Sequence, residues 1–437
     1  MKISDPPAAS RVCTFGRPSL SSPSFVSLLR QNPNYRYLWL GQVVSEVGDH
    51  FNSIAVLSLS YKLTGSGAAV GGVMIARTLP AILAGPVAGV LLDRLDRRTV
   101  MIASDLFRAV IGFAFILILT HQQLSLLYIL SALLMFASPF FSAGRSAILP
   151  SLVSTEELHT ANALTQTTSW LTLSIGTMLG GMSASEFGYH WAFVVNAVSF
   201  LFSAWAISLL RPLQGAFRAV RAPGSGKGWY EFVDGVRLLW RTPLLLAIAL
   251  SGIGWASGGG AAQILFTLYG EVVFAAGPAG IGLIWGFAGI GLVIGGLLAH
   301  RMGMSLTFPQ YKAAIAACFF VVGGAYMIFS QMPTIGWAVV FITISRVGMG
   351  ANNVLNRSML LHYVPDAYRG RIFSTVDTLI NTSMMLSMSG AAVATNYYSI
   401  RTIGLVAGAA TAVTAVFWTW ANLAGKLPPP RLPDPTA

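Results

Sequence analysis

The chain has 437 residues, of which 54% are hydrophobic and only 10% are charged, whereas in a soluble domain roughly a quarter are charged. This composition excludes one large soluble core and indicates many apolar segments. The formal charge of +12 would suggest nucleic acid in a soluble protein, but here we expect basic residues to orient the chain in a membrane, with no nucleic acid partner. The two cysteines, Cys13 and Cys318, lie in unlike surroundings and the six histidines are scattered, so neither a disulfide nor a metal site is predicted.

Twelve apolar segments follow in chain order, each of roughly 20 residues or more, enough to cross a hydrocarbon layer about 30 Å thick. Backbone groups in lipid must satisfy their own hydrogen bonds, so these segments are predicted to be helices rather than open strands. The first 24 residues lack an apolar core, and no cleavable signal peptide is expected there. The predicted spans are residues 36–61, 68–92, 98–120, 125–149, 160–186, 190–210, 243–270, 278–300, 312–330, 334–361, 370–396 and 399–424.

One long polar segment divides the predicted spans six and six. Within it, WYEFVDGVRLLWRTP places apolar residues at helical spacing opposite charged ones, which predicts a helix lying on the membrane surface. PGSGKG lacks the first glycine of a phosphate loop and follows no strand, so ATP binding is not expected. The predicted organisation is an N-terminal tail over 1–34, a six-helix bundle over 35–211, a linker over 212–242, a second bundle over 243–425 and a C-terminal tail over 426–437.

The distribution of Lys and Arg predicts the orientation of the chain, because basic residues accumulate in cytoplasmic loops. With a cytoplasmic N-terminus, 20 of the 27 basic residues fall on the cytoplasmic side and only Lys62 and Arg401 fall outside. Both termini are therefore expected in the cytoplasm.

Two stretches of the first half recur in the second, at an offset of roughly 210 residues. AGVLLDRLDRRT at 88–99 is similar to GGLLAHRMGMSL at 295–306, and the stretch beginning at Arg145 is similar to the one beginning at Arg357. A repeat of this length fits a six-plus-six membrane protein built from two similar bundles.

The stretch GVLLDRLDRR at 89–98 resembles the loop signature of the major facilitator superfamily. Three further stretches, NPNYRYLWLGQVVSEVGD, SDLFRA and VPDAYRGRIFS, resemble its drug-efflux, macrolide-efflux and enterobactin-exporter branch, and the likeness covers about residues 30–425. The resemblance implies an all-α fold of twelve transmembrane helices in two six-helix bundles, in the bacterial inner membrane. Two departures stand out: the glycines at 176–181 lack the proline typical of antiporters, and His300 replaces the signature aspartate in the second copy.

Ionisable groups inside a span are costly, so each is a candidate for function. Asp105 lies about 10 Å into the third span, and Arg108 follows on the same helix face. The resemblance implies that matching acids and bases close the inner side, with Asp93 facing the start of the eleventh span. The alternative is that the arginines only fix orientation. The predicted inner gate comprises Gly89, Asp93, Arg94, Asp105, Arg108, Arg145 and Arg357.

A second polar set is predicted near the middle of the membrane, because Asp49 lies about 18 Å along the first span from Tyr37. Carboxylates at this depth are candidates for proton coupling, and we expect Arg346 to face them. Whether Arg77 meets Glu46 or Asp49 is left open, and structural ion pairs are the alternative for the whole set. The predicted coupling and substrate residues are Glu46, Asp49, His50, Arg346, Asn353, Asp377 and Asn381.

Glycines spaced four apart permit close helix approach and are expected where the two bundles meet, so that the bundles rock with little steric cost. The pairs are Gly85 with Gly89, Gly176 with Gly180, and Gly291 with Gly295.

Taken together, these features predict a monomeric secondary carrier that exports an amphipathic small molecule across the lipid bilayer by alternating access. No cofactor is expected, and the proton gradient is the expected driver, by resemblance. A lipid or lysophospholipid flippase on the same fold and a non-transporting sensor are the alternatives. A membrane enzyme is not expected, because no acid–base or metal constellation gathers at one membrane face.

Overall fold

A computed structural model describes residues 25–121, 123–211, 237, 239–240, 242–303, 306–363 and 366–428. The regular secondary structure of these residues is helical. A 3₁₀ turn at Leu149–Ser151 and a π-helical turn at Tyr269–Val273 interrupt the α-helices. The α-helices are α1 (Phe25–Gln31), α2 (Pro33–Thr64), α3 (Gly67–Arg94), α4 (Arg97–Ala114), α5 (Ile116–His121), α6 (Leu124–Ile148), α7 (Thr155–Glu186), α8 (Tyr189–Ser208), α9 (Pro243–Leu268), α10 (Gly277–Gly303), α11 (Phe308–Gln331), α12 (Ile335–Tyr363), α13 (Asp366–Ala394) and α14 (Ile400–Leu423).

Nine helical segments of the described residues are long and apolar enough to cross a membrane. The other three long helices, α2, α7 and α13, are less apolar because they carry many of the polar side chains that line the interior described below. The predicted surface helix in the linker and the predicted tail over 1–24 lie mostly or wholly outside the described residues. The predicted domain boundaries stay predictions.

Side-chain caps explain where several helices begin. Asn32 accepts a hydrogen bond from the Tyr35 backbone, and Pro33 occupies the first turn of α2, where its missing N–H costs nothing. Asp96 accepts from the Thr99 backbone at 2.9 Å and so begins α4. One acid of the charge-dense loop is therefore a helix cap, favoured by the positive end of the helix dipole.

The helices pack in two sets, α2–α8 and α9–α14, which meet chiefly where α7 contacts α10 and α3 contacts α13. At the first contact, a Cβ on Gly181 would lie 2.9 Å from the Cα of Gly282, so only glycine permits this approach. The predicted close contact at Gly85 and Gly89 is wrong, because no described atom lies within 4 Å of a Cβ built there. The other predicted pairs do lie at close contacts, but within one set: Gly176 and Gly180 face α2, and Gly291 and Gly295 face α12.

The hydrophobic cores distinguish the two ends of the helices. We call the end where α2 begins and α8 stops the linker face, and the other end the far face. Near the far face, one core joins both sets, running from Ala55–Leu59 of α2 to Ile264–Leu268 of α9. Near the linker face, each set has its own core, one around Leu149 and one around Trp418. The two sets are therefore joined at the far face and parted at the linker face.

Candidate functional site

A cavity of about 1010 Å³ lies between the two sets near the linker face, and we call it the linker-face cavity. Helices α2, α6 and α7 line one side, and α9, α12 and α13 line much of the other. Its wall mixes aromatic rings, among them Trp39, Trp170 and Trp255, with polar groups. The polar lining comprises Gln42, Arg145, Ser146, Asn162, Thr165, Gln166, Asn352, Asn353, Asn356, Arg357, Asp377 and Asn381. Such a wall suits an amphipathic ligand, because apolar area supplies binding energy and polar groups orient the molecule.

Glu46 and Arg145 form an ion pair that joins α2 to α6 at the edge of this cavity, with 3.2 Å between nitrogen and oxygen. Gln42 donates to the same carboxylate at 2.9 Å, Ser169 at 3.0 Å and Thr172 at 2.8 Å. Both charged side chains keep about a fifth of their surface exposed, at 23% and 21%. Four donors on three helices thus satisfy the Glu46 carboxyl group, and the network ties α7 to α2 and α6.

Asp49, Asp105 and Arg108 form a second charged group, which we call the carboxylate triad. Arg108 is hydrogen-bonded to Asp105 and lies 3.7 Å from Asp49. Its guanidinium stacks on the Phe200 ring at 4.2 Å, while the Asp105 side chain is fully buried and that of Asp49 stays 26% exposed. One oxygen of each carboxylate, Oδ1 of Asp49 and Oδ2 of Asp105, has no hydrogen-bond partner among the described residues. Two acids, one buried and one partly exposed, therefore share one guanidinium.

A smaller pocket of about 530 Å³ lies deeper between the sets, and we call it the inner pocket. It is lined from one set by His50 and Arg77 and from the other by Gln263, Trp285 and Asn381. Asn381 lines both cavities, so the two spaces adjoin. Arg77, whose partner the sequence left open, donates to Asn52 at 3.1 Å rather than forming an ion pair with Glu46 or Asp49.

At the far face a polar contact joins the two sets. Ser58 of α2 donates to Glu271 of the π-helical turn, and the Tyr189 hydroxyl lies 2.9 Å from the Ser58 oxygen. The Lys62 ammonium sits 5.4 Å from the Tyr189 ring centre. Sequence reasoning missed Glu271, because the predicted seventh span stops one residue before it. The signal available was an acid directly adjoining a long apolar segment.

The predicted inner-gate residues separate in the structure. Arg145 and Arg357 line the linker-face cavity, and Arg357 stacks on Phe373 at 5.3 Å. Asp105 and Arg108 are buried within the first set. Gly89, Asp93 and Arg94 are exposed near the end of α3, and within the described residues Asp93 and Arg94 form no ion pair. The side chains at 361–371 are outside the description, so the predicted contact of Asp93 with the start of α13 stays a prediction.

Four of the seven predicted mid-membrane residues line the two spaces. Asn353, Asp377 and Asn381 line the linker-face cavity, and His50 lines the inner pocket. The expectation that Arg346 faces the acids of α2 is wrong. Its guanidinium lies 5.2 Å from the centre of the Phe266 ring and forms no ion pair with a described acid. A guanidinium that has no carboxylate within reach still gains from contact with an aromatic face.

Helices suited to a membrane, arranged around a cavity that opens between two sets, define a membrane transport protein. The chain belongs to the Major Facilitator Superfamily, whose family model matches residues 38–386. Membership implies a small-molecule substrate and embedding in lipid, and transporters of this family are generally not enzymes.

Relatives and solved structures agree with this assignment. The putative bacilysin exporter BacE of Bacillus subtilis (strain 168) is 25% identical over 80% of this chain and 85% of that protein. The enterobactin exporter EntS of Escherichia coli O1:K1 / APEC is 27% identical over 79% of this chain and 82% of that protein. The crystal structure of the nucleoside transporter NupG superposes with a TM-score of 0.66 at 13% identity, covering 88% of this chain and 98% of that one. The last likeness shows the fold alone.

Proposed function

We propose that the chain is a secondary exporter with twelve membrane-crossing helices in two bundles of six, placed in the bacterial inner membrane with both termini cytoplasmic. Its cargo is an amphipathic small molecule, and the proton gradient drives its export. The observation that carries the proposal is the asymmetry between the two faces. One core and the Ser58–Glu271 contact close the far face, while separate cores leave a cavity of about 1010 Å³ near the linker face.

This asymmetry is what one half of an alternating-access cycle requires. A carrier rocks one bundle against the other around a site near the bilayer midplane. The glycine contact between α7 and α10 allows such rocking with little steric obstruction, since backbone there meets backbone. The exporter relatives in Bacillus subtilis and Escherichia coli favour outward transport of the cargo.

The carboxylate triad supports the coupling to protons. With both acids ionised the triad itself carries one negative charge in excess, which Arg77 offsets only through space, without an ion pair to Asp49. Charge that is not closely paired in a low-dielectric interior is costly. A proton on either acid neutralises the triad, so the pair is expected to titrate as a unit. Asp49 is the exposed member, at 26% against 0% for Asp105, and we place proton exchange there.

Everted membrane vesicles energised by an imposed pH gradient test this proposal. A labelled macrolide and a labelled siderophore serve as amphipathic probes, compared between wild type, Asp49→Asn and a proton ionophore. Uptake that exceeds both comparisons supports the proposal. Wild-type uptake that survives the ionophore and the substitution unchanged would remove proton coupling, and absence of uptake for both probes would remove the stated cargo class.

A further inference from the structure

The inner pocket holds a cation without a matching acid on its wall. Its lining contains Arg77 but neither Asp nor Glu. Arg77 gives one hydrogen bond to Asn52 at 3.1 Å and makes no ion pair with a described carboxylate. Asp49 interacts with Arg77 electrostatically but lies in the triad, where its nearer cation is Arg108 at 3.7 Å.

The remaining polar side chains around Arg77 are also available. His50, Gln263 and Asn381 line the pocket and make no side-chain hydrogen bond to another described residue. They come from three helices of both sets, so these polar groups converge on one space. None of these side chains has an atom among the fully buried polar atoms of the described residues that lack a partner, so their polar atoms stay open to the pocket space. A ligand that enters the pocket can therefore hydrogen-bond to them.

The rest of the wall is apolar. Trp285, Met74 and Met135 line the pocket, and the volume of about 530 Å³ is in the usual range for drug-sized ligands. A planar carboxylate matches the fork of a guanidinium through two parallel hydrogen bonds, while the two amides offer further N–H donors. An aromatic or aliphatic body then packs on the Trp285 ring and the flexible methionines.

We infer that the inner pocket is a substrate subsite for organic anions, in which Arg77 binds the carboxylate of an amphipathic molecule. The inference rests on the proposed transport function, whose cargo class it narrows. Arg77 comes from one set and Gln263, Trp285 and Asn381 from the other, so a bound anion bridges the two sets. The subsite adjoins the linker-face cavity at Asn381, which gives the cargo a continuous route from that cavity.

Equilibrium binding to the purified full chain in detergent tests the inference without any gradient. Three probes share one apolar body: 2-naphthylacetate, the neutral 2-naphthylacetamide and the cationic 2-naphthylethylamine. Isothermal titration calorimetry is expected to show the carboxylate bound about 10- to 100-fold more tightly than the amide, as for a hydrogen bond to a charged group. The amine is expected not to bind measurably.

Substitutions locate the effect. Arg77→Gln should weaken carboxylate binding by about the same 10- to 100-fold and leave the amide unchanged. Arg77→Lys keeps the charge and loses the planar guanidinium, so its carboxylate affinity should lie between those of wild type and Arg77→Gln. This variant keeps the test decisive if Arg77→Gln fails to fold. Arg301→Gln removes the same charge from an exposed position outside both cavities and should bind like wild type.

Three results would overturn the inference: no measurable carboxylate binding by wild type, equal affinity for carboxylate and amide, or unchanged carboxylate affinity in both Arg77 variants. The transport proposal fails separately. Carboxylate binding that depends on Arg77, together with no gradient-driven uptake of any probe in vesicles, supports the anion subsite and rejects the carrier. Driven uptake without carboxylate preference rejects the subsite alone.

Discussion

Replacing Glu271 by Gln should shift the balance of conformations toward an open far face. Near that face, Ser58 of the first set donates a hydrogen bond to the Glu271 carboxylate of the second set. A hydrogen bond to a charged group contributes roughly 1.5–3 kcal/mol, and a neutral one roughly 0.5–1.5 kcal/mol. Glutamine keeps an acceptor oxygen and loses the charge. The difference of about 1 kcal/mol corresponds to roughly a 5-fold shift in the equilibrium.

Thiol accessibility from the far face measures this shift. In a background with Cys13→Ser and Cys318→Ser, Ser53→Cys places one thiol in the inner pocket, which the far face shields. An impermeant maleimide added at the far face alkylates it only when that face opens. With opening fast against alkylation, the rate follows the open population, so Glu271→Gln should raise it roughly 5-fold.

Two controls make the result specific. Glu186→Gln makes the same acid-to-amide change at an exposed site near the far face and should leave the Ser53→Cys rate unchanged. Tyr397→Cys lies in the loop between α13 and α14, where the residue is 76% exposed. Its alkylation rate measures the reactivity of the maleimide at a site that is always accessible. Equal rates in Glu271→Gln and wild type would refute the role of the charged contact. A rise in both acid variants would mean a general charge effect.

Three further outcomes are expected from single substitutions. Glu46→Ala leaves the half-buried Arg145 and three other donors without their acceptor. It should lower the free energy of unfolding, measured by a thermal melt in detergent, by about 1–3 kcal/mol. An unchanged melting temperature would contradict a stabilising role for these hydrogen bonds. Gly181→Ala brings a methyl group against the backbone of α10 and should abolish vesicle uptake. Gly85→Ala, where no described atom lies within 4 Å, should leave uptake unchanged. Equal uptake by the two variants would refute the importance of the close contact at Gly181. Asp93→Asn should insert normally, measured by membrane yield, yet transport more slowly; full activity would reject its part in the gate.

The apolar segments predicted the helices well because membrane insertion depends on local composition. A stretch of about 20 apolar residues satisfies its backbone only as a helix, wherever the rest of the chain lies. The predicted sixth and ninth spans, for example, correspond within a few residues to α8 and α11. The signature at 89–98 and its companions predicted the family, which the match over 38–386 confirms.

Side-chain partners were predicted less well, because they depend on how two helices are rotated about their axes. Arg145 was assigned to a gate and Glu46 to a mid-membrane set, yet the two pair across 99 positions of sequence. Arg346 was expected to face acids of α2, and the aromatic surroundings of Phe266 bind it instead. The spacing of residues within one helix does not determine which residue of a neighbouring helix a side chain contacts.

The sequence by itself determined that this chain is a membrane protein of helical spans, which family it belongs to, and which rare ionisable groups lie inside the apolar segments. Those are properties of composition and of short stretches. Tertiary structure alone decided that two acids share Arg108, that Glu271 closes the far face on Ser58, and that Arg77 lines a pocket without an acid. The physical reason is that charge pairing and closure arise between helices distant in sequence, where packing sets the distances.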